Sequence, residues 1–187
     1  MSAVKEITIL GRGGQGAVTA AELIAKAVFH EGKQSQAFPS FGVERRGAPV
    51  SAFCRISEDK ITLRSQIYAP EYVLVLDSTL LSSVDIQSLS KKKGTLIVNT
   101  SKEINGEIKR EGIKIFSADL SSIAKETFGA DIVNTAIVAA FAAFTKEISI
   151  GSVEEALPEI FEDKNLLNKN IAAVRKAYNI CIKMMEK

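Results

Sequence analysis

The stretch EITILGRGGQGAVTAAELIAKAV, residues 6–28, places a short apolar run, four glycines within six residues and an alanine-rich segment in immediate succession. That order predicts a strand, a tight turn and a helix. Gly11, Gly13, Gly14 and Gly16 allow a sharp turn and close approach of a ligand, because glycine carries no Cβ. A helix starting near Gly16 would add unpaired N–H groups and a partial positive charge, both suited to phosphate or carboxylate. The turn, including Arg12 and Gln15, is therefore a candidate anion cradle.

Two nucleotide motifs fit only in part. The spacing Gly11-x-Gly13-x-x-Gly16 matches a dinucleotide fingerprint, which also needs an acid near the end of the second strand. The second strand here, KQSQAF (33–38), has none. Gly11-x4-Gly16 is also the first half of a triphosphate-binding loop, but Ala17 and Val18 occupy the positions of its Lys and Ser/Thr. A free-standing dinucleotide-dependent oxidoreductase, or a tight turn that touches no ligand, remain the alternatives at this level.

Outward from this stretch, QSQAF, YVLVLD, TLIVNT and IKIFSA are short runs rich in Ile, Val, Leu and Phe. Most are continuous rather than alternating, as strands covered on both faces should be. Helical patterns separate them: residues 17–30 with Gly32 as stop signal, STLLSSVDIQSL after Asp77, and DLSSIAKETF. The alternation predicts an α/β fold, a mostly parallel wound sheet with helices on both faces. PVSAFCRISEDKITLRSQIY reads as an inserted antiparallel hairpin, about residues 50–67, with Ala52, Cys54 and Ile56 facing Ile61 and Leu63 across the turn SEDK. The C-terminal region is helical. DIVNTAIVAAFAAFTKEI is apolar around most of its circumference and is expected to be buried, in part against a neighbouring subunit. Ser152 and Glu155 form a capping box, and NLLNKNIAAVRKAYNICIKMMEK is an amphipathic closing helix.

The 187 residues suit a single domain spanning 1–187. A net charge of +2 gives no reason to expect nucleic acid or a membrane surface as partner. Nothing at the start resembles a signal peptide and no apolar run is long enough to span a bilayer, so the cytoplasm is the expected location. Cys54 and Cys181 stand alone, without C-x-x-C spacing, and are expected to be buried thiols rather than metal ligands. The single histidine, His30, falls on a solvated helical stripe, so no Ser–His–Asp set can be drawn and no catalytic or metal-binding residue is predicted.

The second unusual stretch is FPSFGVERRGAPVSAF, residues 38–53. It is longer than most connections in a compact domain and carries two phenylalanines, two prolines and the pair Arg45–Arg46. Arginines bordered by glycines suit recognition of phosphate or carboxylate. A basic turn packed on a partner chain is the structural alternative. Asp77, at the carboxyl end of YVLVLD, either lines a binding crevice or caps the following helix.

GRGGQGAVTAAELIAKA, followed by FPSFGVERRGAPVSAFCRIS and YVLVLD, resembles the gamma subunit, or the corresponding internal domain, of the 2-oxoacid:ferredoxin oxidoreductases. The wording ERRGAPV is closer to the pyruvate type than to the 2-oxoglutarate type. The resemblance implies a non-catalytic subunit of an enzyme that oxidises a 2-oxoacid with coenzyme A and passes electrons to ferredoxin. It places thiamine diphosphate and the iron–sulfur clusters in partner subunits, with alpha, beta and delta chains as partners and contacts between copies of this chain. It also implies a share of the coenzyme A site, for which Gly11, Arg12, Gly13, Gly14, Gln15, Gly16, Arg45 and Arg46 are the candidates, facing one crevice. The rival is a scaffold whose glycine loop touches only neighbouring chains.

Overall fold

A computed structural model describes residues 4–40, 46–82, 94–104 and 112–186. The apolar run at the start becomes β1 (Lys5–Arg12), and the alanine-rich segment becomes α1 (Ala17–His30). Next come β2 (Gln34–Pro39), β3 (Pro49–Ser57), β4 (Tyr72–Val75), β5 (Thr95–Asn99) and β6 (Lys114–Ala118). The rest is helical: α2 (Leu120–Phe128), α3 (Asn134–Thr145), α4 (Ile150–Ala156) and α5 (Lys164–Met185). The strands form one sheet in the order β2-β3-β1-β4-β5-β6. β1, β4, β5 and β6 pair in parallel, while β3 runs antiparallel to both β1 and β2.

β1 is buried on both faces, which explains its nearly continuous apolar sequence. Its pleat sends Ile7 and Ile9 into the main core with Cys54, Leu74 and Ile97. Leu10 goes to the opposite face, with Val73, Val75, Leu96 and Val98. Buried residues of all five α-helices join the main core. The other face is covered among the described residues by Leu80 of a short 3₁₀ turn, Ser78–Ser82, and by partly buried Leu81, Ile104 and Ile113. The helix predicted over STLLSSVDIQSL is thus a 3₁₀ turn at its start, and its remainder lies outside the described residues.

Helix ends follow local chemistry. Gly32, at φ +74°, donates its N–H to Phe29 O and stops α1. Asp119 and Asp163 cap α2 and α5 by accepting the N–H groups of Ser122 and Leu166. At α4 the cap is Ser149, whose hydroxyl accepts from Ser152 N–H, three residues before the cap read from the sequence. Ser152 instead donates its hydroxyl to Glu31. No helix among the described residues is long and apolar enough to cross a membrane.

Two further expectations need correction. The antiparallel strand exists, but its hairpin partner is β2 and not residues 61–67. Both edges of β3 are already taken, by β1 and β2, so a third strand has no backbone edge to join. The apolar stretch 132–144 also differs from expectation, since apart from the exposed Ile132 ahead of the helix its side chains turn into this chain rather than outward. Every residue from Asn134 to Ala143 is buried within this chain, under α1 and α5.

Residues 58–71 instead cross the sheet as irregular chain, pinned by Arg55. This arginine is fully buried, and its Nε donates to Glu6 Oε1 at 3.0 Å. Its Nη1 and Nη2 reach Gln36 Oε1 at 3.2 Å and Ser65 O at 2.6 Å, and the guanidinium lies 5.2 Å from the Phe38 ring centroid. Removing one partner of such a buried pair leaves the other uncompensated, at about 3–5 kcal/mol. Arg55→Ala is therefore expected to lower stability by about that much in a denaturant titration, whereas truncating a surface cation such as Lys114 changes it by less than about 0.5 kcal/mol.

Candidate functional site

The glycine turn sits at the carboxyl end of β1, and two of its glycines are there because neighbours come too close for a side chain. A Cβ on Gly11 would lie 2.8 Å from Leu76 Cδ1. Gly16 has φ +78°, and a Cβ there would meet Asn134 Nδ2 at 2.6 Å. Gly13 is held by the chain ahead of β3: its N–H donates to Ala48 O at 2.8 Å and its carbonyl accepts from Gly47 N–H at 3.1 Å. The resulting bridge sets Arg46 beside Gly13. Gln15 closes the turn on itself, with its N–H on Arg12 O and its Oε1 accepting Arg12 N–H at 2.7 Å.

The amides of Arg12, Gly13 and Gln15 are thus committed within the turn. Those of the first turn of α1 are not. Gly16 provides no side-chain cap, so the N–H groups of Ala17, Val18 and Thr19 have neither a helical acceptor nor a capping oxygen. The uncommitted N–H donors of this stretch therefore lie at that helix start and not in a full ring of glycine amides.

Arg12, one of the three arginines expected to face an anion, is spent inside the fold. Its Nε donates to Asp77 Oδ2 at 3.0 Å, Nη1 to Gly47 O at 3.1 Å and Nη2 to Thr79 Oγ1 at 2.7 Å. Asp77 also caps the following 3₁₀ turn, accepting the Thr79 N–H at 2.9 Å and hydroxyl at 2.6 Å. Burial pushes the Asp77 carboxyl up, but the Thr79 hydrogen bonds and the Arg12 guanidinium outweigh it and hold the pKa below its ordinary value. Arg46 is exposed at the lip of the turn, and Arg45 lies outside the described residues.

Beside the turn, at the carboxyl ends of β4, β5 and β6, opens a crevice of about 380 Å³. Its charges are Asp77, Asp119, Asp131, Lys102 and Lys125, and several of its other walls are serine hydroxyls. Among the described residues these are three carboxylates, one of them paired with Arg12, against two ammoniums, a balance without the excess of positive charge that phosphate favours. The crevice suits uncharged hydroxyl and amide groups. Asn99, which sequence reading passed over, organises its floor: Oδ1 accepts the N–H groups of Leu120 and Ser121, and Nδ2 donates to Leu76 O and Ser121 Oγ. A polar Asn closing the apolar run TLIV was the available signal, although the helix start it serves, at Leu120, lies beyond the next strand. Cys54 and Cys181 are both buried, which pushes their thiols up to about 12 and keeps them protonated. Among the described residues no cluster of three or more His, Cys, Asp or Glu side chains is placed to hold a metal ion.

Residues 6–180 match the family described as pyruvate ferredoxin/flavodoxin oxidoreductase. The chain is 52% identical over 178 residues to the pyruvate synthase subunit PorC of Methanocaldococcus jannaschii, covering 95% of this chain and 97% of that one. It is 50% identical over 176 residues to the pyruvate/ketoisovalerate oxidoreductases common subunit gamma of Pyrococcus abyssi, covering 92% and 95%. Its fold matches the crystal structure of the pyruvate oxidoreductase subunit PORC of Thermotoga maritima with a TM-score of 0.80 at 32% identity, over 94% and 96% of the two chains.

Two substitutions test the geometry of the turn. Gly16→Ala forces a side chain into the left-handed region and against Asn134, and should cost more than about 1 kcal/mol in thermal or denaturant unfolding. Asp77→Asn tests the electrostatics. A carboxylate whose folded pKa is depressed stabilises the fold above its unfolded pKa of about 4, and that contribution is lost as pH falls through the lower folded value. The melting-temperature gap between wild type and Asp77→Asn should be largest near neutral pH and close progressively below about pH 4.

Proposed function

The chain belongs to the pyruvate ferredoxin/flavodoxin oxidoreductase family, and on that premise we propose that it holds one anionic end of coenzyme A between Arg46 and the start of α1. It is the gamma-type, PorC-like subunit of a pyruvate or other 2-oxoacid:ferredoxin oxidoreductase, and other subunits of that enzyme are its partners. Complexes of this family use thiamine diphosphate and iron–sulfur clusters. Thiamine diphosphate supplies the electron sink for decarboxylation when bound, and its site belongs, on this reading, to the alpha, beta and delta chains. What this chain contributes is position.

The observation that carries the reading is the bridge between Gly13 and Arg46, which joins the glycine turn and the arginine stretch at one lip. There the N–H groups at the start of α1 give direction and the Arg46 guanidinium gives charge. Arg12 contributes indirectly, by neutralising Asp77 beside the lip. Hydroxyl and amide groups of the ligand fit the neighbouring serine-lined crevice. Because the Pyrococcus abyssi relative is named as common to pyruvate and ketoisovalerate oxidoreductases, choice among 2-oxoacids falls to other chains.

The scaffold reading has one observation in its favour, the internal use of the Gly13 and Gln15 amides. Kinetics of the assembled complex separate the two. A charge-assisted contact of about 1.5–3 kcal/mol predicts that Arg46→Ala raises the apparent KM for coenzyme A about tenfold or more. Arg45→Ala combined with it should raise KM further, and the thiamine-dependent decarboxylation that precedes coenzyme A entry should be unchanged. A normal KM in a properly assembled Arg46→Ala complex leaves the scaffold reading in place.

A further inference from the structure

We propose that the irregular run 60–70 and the cavity behind it form the docking surface for an acidic segment of a neighbouring subunit, which inserts one apolar side chain. The inference rests on the chain being a subunit of a larger enzyme and is independent of the coenzyme A site.

The run KITLRSQIYAP carries Lys60 and Arg64 and no acid, and both cations are exposed. Two of its four large apolar residues face outward: Leu63 is 44% exposed and Tyr68 71%, whereas Ile67 is buried. Of the flanking carboxylates, Glu58 stands 3.7 Å from Lys33 and Glu71 accepts the Glu6 N–H, while the exposed Asp59 precedes Lys60 and leaves Arg64, farther along the run, as the cation away from any flanking acid. Tyrosine and arginine beside an aliphatic side chain make up the composition enriched where protein partners dock.

Behind the run lies a cavity of about 250 Å³, lined by Thr8, Leu10, Ser51, Phe53, Ile67 and Leu80, with Tyr68 at its rim. The pleat of β1 turns Thr8 away from Ile7 and Ile9 and onto this face, opposite Phe53 in the register. Thr8 is 2% exposed, and its hydroxyl is the buried side-chain polar atom without a hydrogen-bond partner among the described residues. Valine has the same shape and none of that cost, so the hydroxyl destabilises the isolated fold unless a hydrogen-bonding group enters the cavity. Mostly apolar walls, the unpartnered Thr8 hydroxyl on the floor, and the exposed Lys60 and Arg64 on the run outside the cavity together describe an acidic peptide with an apolar anchor. Two cations are too few to hold a phosphate polymer, and a phosphate would not enter walls of Leu, Ile and Phe.

The test is assembly of the full chain coexpressed with the other subunits of its enzyme, followed by native mass spectrometry and by subunit dissociation at graded salt. Ser51→Phe, which fills the cavity from β3, should weaken assembly about tenfold or more. Thr8→Val should weaken it about fivefold while leaving the melting temperature of the isolated chain equal or higher, an outcome that a purely structural hydroxyl would not give. Lys60→Glu with Arg64→Glu should weaken assembly and flatten its salt dependence. In the complexes that form, KM for coenzyme A should stay normal, which keeps failure here distinct from failure of the ligand site. Wild-type assembly by both Thr8→Val and the charge-reversed pair overturns the proposal. So does binding of the isolated chain to phosphatidylserine vesicles or RNA that the charge reversal abolishes while assembly persists.

Discussion

Arg12 joins three separate pieces of chain at one point. It ends β1, and its guanidinium reaches Asp77 just past β4, Thr79 in the 3₁₀ turn and the Gly47 carbonyl ahead of β3. The first of these contacts stands against the 20% exposed Asp77 side chain, where water screens the pair only in part. Because these contacts fix the carboxyl end of β1 relative to β4 and β3, the glycine turn, the start of α1 and Arg46 have a set geometry. Each of them would otherwise be an independent loop. The same contacts neutralise Asp77, which decides the electrostatics of the lip as well as its shape.

Much of this was legible in the sequence, and what was not has identifiable causes. The strand runs and the limits of α1 follow from side-chain pattern and from Gly32, both local signals, and the structure agrees with them. The mispaired hairpin was a question of edges. The alternation of Ile61 and Leu63 is genuine, but a strand also needs an unoccupied neighbour, and β3 has none. The apolar helix α3 was recognised as buried, yet only tertiary packing reveals that α1 and α5 of the same chain cover it. At the turn, glycine spacing pointed to the right residues while hiding their tasks. Gly11 and Gly16 answer to Leu76 and Asn134, far away in sequence, and Arg12 answers to Asp77.

The chain is organised so that its two sheet faces do different work. One face is closed by all five helices and provides the stable core. The other carries the buried Arg55 network, the irregular run 58–71 and the cavity floored by Thr8, and so presents to partners both positive charge and apolar side chains. Between them, along the carboxyl edge of the parallel strands, lie the helix start, Arg46 and the hydroxyl-lined crevice. On the proposed function, a subunit of this design supplies surfaces to an enzyme whose family uses thiamine diphosphate and iron–sulfur clusters. Its two thiols, buried and protonated, are core-filling groups.

On the proposed function, the lip formed by the start of α1 and Arg46 meets coenzyme A directly. Hydrogen–deuterium exchange of the assembled complex, with and without coenzyme A, reads this at the backbone itself. Direct contact predicts slowed exchange confined, within this chain, to peptides spanning residues 14–19 and 46–48, and no change over residues 60–70. Protection limited to the partner subunits, with exchange at the glycine turn identical in the two states, would contradict it.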